Sequence, residues 1–122
     1  MLTKRSRLKV ADNSGAKSLI VIGLGKGTGR HFVSLGDVIT CAVRGAISNS
    51  QVKDHEIVKV VVVRVRKERK RPDGSYIRFS DNAGVVIDNN KLPRATRIFG
   101  PVAVEIKQKG FNKIASLAKE VV

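Results

Sequence analysis

The sequence predicts a mainly β fold: a compact barrel of short strands with a hairpin projecting from it and two short helices at the C-terminal end. Three observations carry this. Apolar positions recur with a period of two over the first three-quarters of the chain. Clusters of Gly, Asn, Asp and Pro break that pattern at regular intervals. A helical period appears only after Gly100-Pro101.

Each element follows from its residues. Arg7-Leu8-Lys9-Val10 alternates as a half-buried strand, and Asp12-Asn13-Ser14-Gly15 turns the chain. Ser18 to Leu24 is apolar and β-branched, ending in a glycine-rich loop. Asp37 to Ala46 forms the third strand. Glu56 to Lys67 is expected to be the longest, with Val60 to Val63 buried on both faces. Pro72-Asp73-Gly74-Ser75 is a turn, since Pro presets φ and Gly accepts a positive one, so Tyr76 to Phe79 folds back as a hairpin. Gly84 to Asp88 adds a strand before Asn89-Asn90. In the tail, Pro101 is expected at a first helical position and Gly110 past the helix end. Asn112 is expected to cap a second helix whose Ile114, Leu117 and Ala118 share one face. The count is five or six strands, then two helices, in one domain over residues 1–122 whose helical appendage covers about 100–122.

Charge narrows the function. The chain has 24 Lys and Arg against 10 Asp and Glu, a net +14. Like charges at that density oppose compaction unless a polyanion neutralises them, and nucleic acid is the usual partner. A membrane is not the expected one, because apolar runs such as Leu19 to Ile22 fall far below the ~20 residues of a spanning helix. Lys4, Arg5 and Arg7 precede no apolar stretch of the kind a secretion signal needs. A single cysteine, Cys41, fits a reducing compartment, so cytoplasm or an organelle interior is expected.

Catalytic constellations fail in turn. Gly23-Leu24-Gly25-Lys26-Gly27-Thr28-Gly29-Arg30 matches no frame of Gly-x-Gly-x-x-Gly, and Gly27 stands where a phosphate-binding loop needs Ser or Thr. Lys26 and Arg30 are better read as phosphate contacts on a strand connection. Cys41 lies between Ile39 and Val43 on an apolar strand face, the setting of a small core hydrophobe. His31 and His55 lack metal-ligand spacing, and the acids are scattered, so no metal, cofactor, small-molecule substrate or catalytic residue is expected.

Basic residues are organised. Arg64-Val65-Arg66-Lys67-Glu68-Arg69-Lys70-Arg71 runs from the end of the longest expected strand into the arm before the Pro-Asp-Gly turn. On a strand, Arg64 and Arg66 point the same way and are expected to grip neighbouring phosphates bidentately. The arm stands away from the core, so replacing Arg64, Arg66, Arg69 and Arg71 together is expected to leave the barrel folded. With Lys9, Lys17, Lys26, Arg30, Lys67, Lys70, Arg78 and Arg94 these form the candidate RNA-binding set. A second basic group lies in the tail: Lys91, Arg94, Arg97, Lys107, Lys109 and Lys113. With no Trp, one Tyr and four Phe, of which Phe79, Phe99 and Phe111 fit a small core, the pattern points to backbone and shape recognition of folded RNA.

Three segments carry a family resemblance: Lys9-Val10-Ala11-Asp12-Asn13-Ser14-Gly15-Ala16, Arg71-Pro72-Asp73-Gly74-Ser75-Tyr76-Ile77-Arg78-Phe79, and Thr96-Arg97-Ile98-Phe99-Gly100-Pro101-Val102. Ile114-Ala115-Ser116-Leu117-Ala118 extends it to the closing helix. Together they resemble large-subunit ribosomal protein fourteen, the universal L-fourteen family, over the whole chain. The resemblance implies a small five-stranded barrel with a projecting β-ribbon and two short C-terminal helices. It implies a structural role in the large subunit of a cytoplasmic or organellar ribosome, binding large-subunit rRNA and touching ribosomal protein nineteen. It also implies bridges to small-subunit rRNA, and a ribosome-silencing factor docking on a surface of Thr96, Arg97, Lys113 and Ser116. Lys119 departs from a usual proline and His31 from a usual Arg or Lys. A free-standing binder of single-stranded RNA is the rival reading, opposed by the few aromatics; an enzyme acting on nucleic acid lacks any acid–base or metal constellation.

Overall fold

The computed structural model describes residues 5–24, 33, 35–48 and 52–122. Its strands are β1 (Arg7–Val10), β2 (Ala16–Gly23), β3 (Val38–Ala46), β4 (Ile57–Arg64), β5 (Arg69–Lys70), β6 (Tyr76–Ile77) and β7 (Ala83–Ile87). Two helices follow, α1 (Glu105–Gln108) and α2 (Asn112–Leu117). Strands β1-β2-β3-β4-β7 close a five-stranded barrel, all antiparallel except where β7 runs parallel to β1 at the seam. Closure leaves no open edge in that sheet. β5 and β6 pair separately as a two-stranded ribbon.

The alternation that identified the strands also sorts the core. Leu8, Leu19, Val21, Ile39, Cys41, Val43, Val58, Val60, Val62 and Val86 fill one cluster, the barrel interior. Val61, Val63, Val85 and Ile87 face the opposite way and meet Ile98, Val102, Ile106, Phe111 and Ile114 from the tail in a second cluster. Val60 to Val63 are therefore buried on both faces, as a continuous apolar run requires. The short helices owe their place to this second cluster, because helices of four and six residues are too short to persist on propensity alone.

Several boundaries differ from expectation; β2 runs from Ala16 to Gly23, and β6 stops at Ile77 and not Phe79. β4 stops at Arg64 and not Lys67, leaving the nine-residue β3 as the longest strand. The cause is a register shift between Val62 and Arg64, after which the Arg66 amide donates to Asn82 Oδ1 at 2.8 Å and leaves the ladder. Pro101 does not open a helix: Val102 bridges Val121 in parallel, and α1 begins at Glu105. Asn112 is the first residue of α2 and makes no capping bond there; Phe111 precedes it, its side chain buried. Gly110, at φ +97°, does end the first helical segment, a conformation that disfavours any other residue. Among the described residues no helix is long and apolar enough to cross a membrane.

Candidate nucleic-acid interface

Strand register gathers cations on the outside of the barrel. Leu8 points inward, so Arg7 and Lys9 stand exposed on β1. Lys9 lies opposite Ser18, and Ser18 opposite Arg44, placing two cations in one row across β1, β2 and β3. Arg7, Lys9 and Ser18 line an open hollow of about 370 Å³ together with Arg66, Ser80, Asp81 and Asn82. The barrel wall and the start of the arm thus meet at one concave, cation-lined surface. Lys17, also exposed, lies at the far end of β2 beside Gly45. Lys26 and Arg30 lie outside the described residues.

The arm divides into exposed cations and structural ones. Arg66, Lys67, Arg69 and Lys70 are exposed. Arg64 is not: its side chain is only 10% exposed, and its Nη1 donates to the carbonyls of Phe99 at 3.0 Å and Pro101 at 3.2 Å. Its Nε lies 3.0 Å from Asp81 Oδ1 without an aligned hydrogen bond, so that contact is an ion pair. The expectation that Arg64 and Arg66 share a face is corrected here. The register shift turns Arg64 under the 99–101 segment, while Arg66 stays in solvent. Arg71 is half-buried, with Nη2 donating to Glu105 Oε1 at 3.0 Å and to the Val122 carbonyl at 2.7 Å. The arm is thus braced against α1 and the C-terminal segment. Arg78 is exposed beside Glu68 at 4.0 Å, and Arg94 pairs with Glu56 at 2.9 Å.

A second surface is built by the N-terminal turn. Asp12 Oδ1 accepts bonds from the Ser14 amide and hydroxyl, and Oδ2 accepts one from the Val86 amide at 3.0 Å. Burial raises the Asp12 carboxyl above its ordinary value, against the opposing pull of those donors. Fixing this turn aims Asn13 at the 96–97 loop. Asn13 Oδ1 accepts from the Thr96 and Arg97 amides at 3.0 and 2.9 Å, and its Nδ2 donates to Thr96 Oγ1 at 3.0 Å. The Phe99 amide donates to the Ala11 carbonyl at 2.7 Å, and Asp12 bridges Ile98. This bridge turns Ile98 inward and Phe99 outward, so Phe99 is 52% exposed and not the core residue its type predicts. Gly100 has φ +77°, and a methyl there would run into the Arg64 guanidinium. Held at both ends, the loop presents Thr96 and Arg97 to solvent. On α2, Lys113 and Ser116 are exposed, and Ser116 Oγ donates to the Lys113 carbonyl at 2.8 Å.

The groups considered for catalysis sit elsewhere. Cys41 is fully buried between Ile39 and Val43, and burial pushes its thiol up to about 12. His55 is exposed beside Asp54 at 3.5 Å, and His31 lies outside the described residues. Among the described residues no three His, Cys, Asp or Glu side chains gather as a metal site would require. Sequence reasoning missed Asn13, which it read as a turn residue only, and Arg44, which the alternation of β3 could have placed on the outer face.

These features define a class: a small, strongly basic β-barrel whose surface cations are arrayed and whose buried polar groups serve the scaffold. The family model for ribosomal protein L14p/L23e matches residues 1–122. The chain therefore belongs to the ribosomal protein L14p/L23e family, with a structural, non-enzymatic role in the large ribosomal subunit.

Proposed function

We propose that the protein braces large-subunit rRNA by gripping its phosphate backbone. The observation that carries this is the cation-lined hollow of Arg7, Lys9 and Arg66, continuous with the exposed arm of Lys67, Arg69 and Lys70. Lys17, Arg44 and Arg78 extend the footprint, and Lys26 and Arg30 join it on the sequence alone. Arg64, Arg71 and Arg94 act by position, holding the surface that the others present. Backbone contacts release counterions, so affinity for folded rRNA should fall about 10³–10⁵-fold between 50 and 200 mM salt if some six to ten phosphates are engaged. Filter binding across that range tests it; a flat salt response, or preference for an unstructured oligonucleotide, would overturn it.

The loop held by Asn13 is proposed to face the other subunit. Thr96, Arg97, Lys113 and Ser116 would meet small-subunit rRNA in an intersubunit bridge, with ribosomal protein nineteen as neighbour. Where a ribosome-silencing factor exists, its carboxylates would compete with rRNA phosphate for Arg97, since one guanidinium cannot satisfy both. Competition then follows from shared surface without a conformational switch.

A further inference from the structure

The outer face of the ribbon has a feature that gripping phosphates leaves unused. Tyr76 is the chain's only tyrosine and is 65% exposed. Its neighbours in β6 and just beyond it explain the exposure. Ile77 and Phe79 pack down onto the barrel core, so alternation turns Tyr76 and Arg78 outward. Cross-strand register sets Lys70 directly opposite Tyr76, and opposed residues share a sheet face. The ring therefore has one cation opposite it across the ribbon and another two residues further along the chain.

The backbone that carries the ring is also held in place. The Arg71 amide donates to the Ser75 carbonyl at 2.8 Å, closing the hairpin next to Tyr76. Asp73 Oδ1 accepts from the Ser75 amide at 2.9 Å and its hydroxyl at 2.6 Å, fixing the turn. Arg71 pins the ribbon to Glu105. An aromatic on a braced element has little freedom left to lose on binding.

We propose that this face is a base-stacking site: Tyr76 takes one unstacked base of the large-subunit rRNA, and Lys70 and Arg78 take the phosphates flanking it. The site rests on the rRNA-binding function proposed above. Every base has a π-face, so one exposed ring can hold one base without reading its identity. Among the described residues Arg78 is engaged by exposed Glu68 at 4.0 Å, a solvated pair that yields readily to phosphate. A protein strand added to the ribbon edge is the competing occupant. It would use backbone and not the ring, and strands of two residues offer it little edge, whereas Arg69, Lys70 and Arg78 favour a polyanion.

The test uses large subunits assembled with the full-length protein carrying a photoreactive phenylalanine analogue at position 76 or, as a control, at position 67. A crosslink from position 76 to one rRNA nucleotide is expected, together with a ring-dependent affinity. Tyr76→Phe should release from subunits at the same salt concentration as wild type, and Tyr76→Leu should bind roughly 5- to 150-fold more weakly, the range for losing one stacked base. Exposure of the ring keeps both variants folded, which their melting curves check. A crosslink from position 76 to protein only, or Leu binding as well as Phe, overturns the stacking site while position 67 still reaches rRNA. Failure of both positions to reach rRNA overturns the rRNA-binding function itself.

Discussion

Arg64 is the residue whose role the structure changes most, and Arg64→Met tests that change. Methionine keeps an unbranched apolar stem while removing the charge and the donors. The substitution strips the Phe99 and Pro101 carbonyls of this donor and leaves Asp81 facing Lys9, 3.9 Å away. Hydrogen bonds to a charged group contribute about 1.5–3 kcal/mol each, and breaking a buried ion pair from one side costs about 3–5 kcal/mol. These terms overlap, and Asp81 is 23% exposed and can recover water. The expected loss is about 3–5 kcal/mol, equivalent to a fall in melting temperature on the order of 10–20 °C for a chain this size. Arg66→Met, in solvent a single residue from the buried Val65, should stay within about 0.5 kcal/mol of wild type. Denaturant unfolding followed by far-ultraviolet circular dichroism reads both. If Arg64→Met unfolds at the wild-type midpoint yet is lost from large subunits, Arg64 is a phosphate ligand and not a strut.

Thr96→Ala with Arg97→Ala should spare large-subunit assembly but weaken subunit joining and capture of a silencing factor; unchanged joining and capture would place that surface elsewhere. Asn13→Ala, which leaves both side chains in place but frees their loop, should weaken joining in the same direction, read on the same subunit-association gradient. Cys41 should resist maleimide at pH 8 until the barrel unfolds, with labelling in step with the loss of circular dichroism. Because its folded value lies above the ordinary 9.0, its contribution to stability is complete below pH 9 and is lost as pH rises toward about 12. Cys41→Ala should lack that alkaline component, seen as a smaller drop in unfolding midpoint over that range.

The fold was legible because most of it rests on period. Alternation places Leu8 and Cys41 inside, and the Val60 to Val63 run requires burial on both sides, which the tail supplies. What period could not show is where a strand leaves its ladder. The shift after Val62 is a matter of one residue, and it separates Arg64 from Arg66 although they share a parity in sequence. Phe99 was misplaced for a related reason: composition favours burying a phenylalanine, while the Asp12 to Ile98 bridge assigns the inward position to its neighbour. Asn13 was invisible as a positioning residue because its partners lie 83 and 84 residues away. Turn chemistry explains why an Asn suits that place, but not what its side chain holds.

The acids explain how a chain of +14 keeps a basic surface without collapsing into self-neutralising pairs. Asp12, Asp73 and Asp88 spend their carboxylates on backbone amides in turns, and Asp54 bonds the Gly45 amide. Asp37, Glu56, Asp81 and Glu105 meet cations that tie distant segments down: Lys109, Arg94, Arg64 and Arg71 respectively, with Lys9 also near Asp81. Eight of the ten acids that look scattered in sequence thus serve as joints, each where its own segment needs one. Arg66, Lys67, Arg69 and Lys70, beside the joints made by Arg64 and Arg71, remain in solvent on an arm whose base and tip are both fastened. Fastening matters energetically, since long cationic side chains lose rotamer freedom on gripping phosphate, and a mobile arm would lose backbone freedom as well. A rigid arm confines that cost to the side chains, which is the arrangement expected of a protein that braces folded RNA.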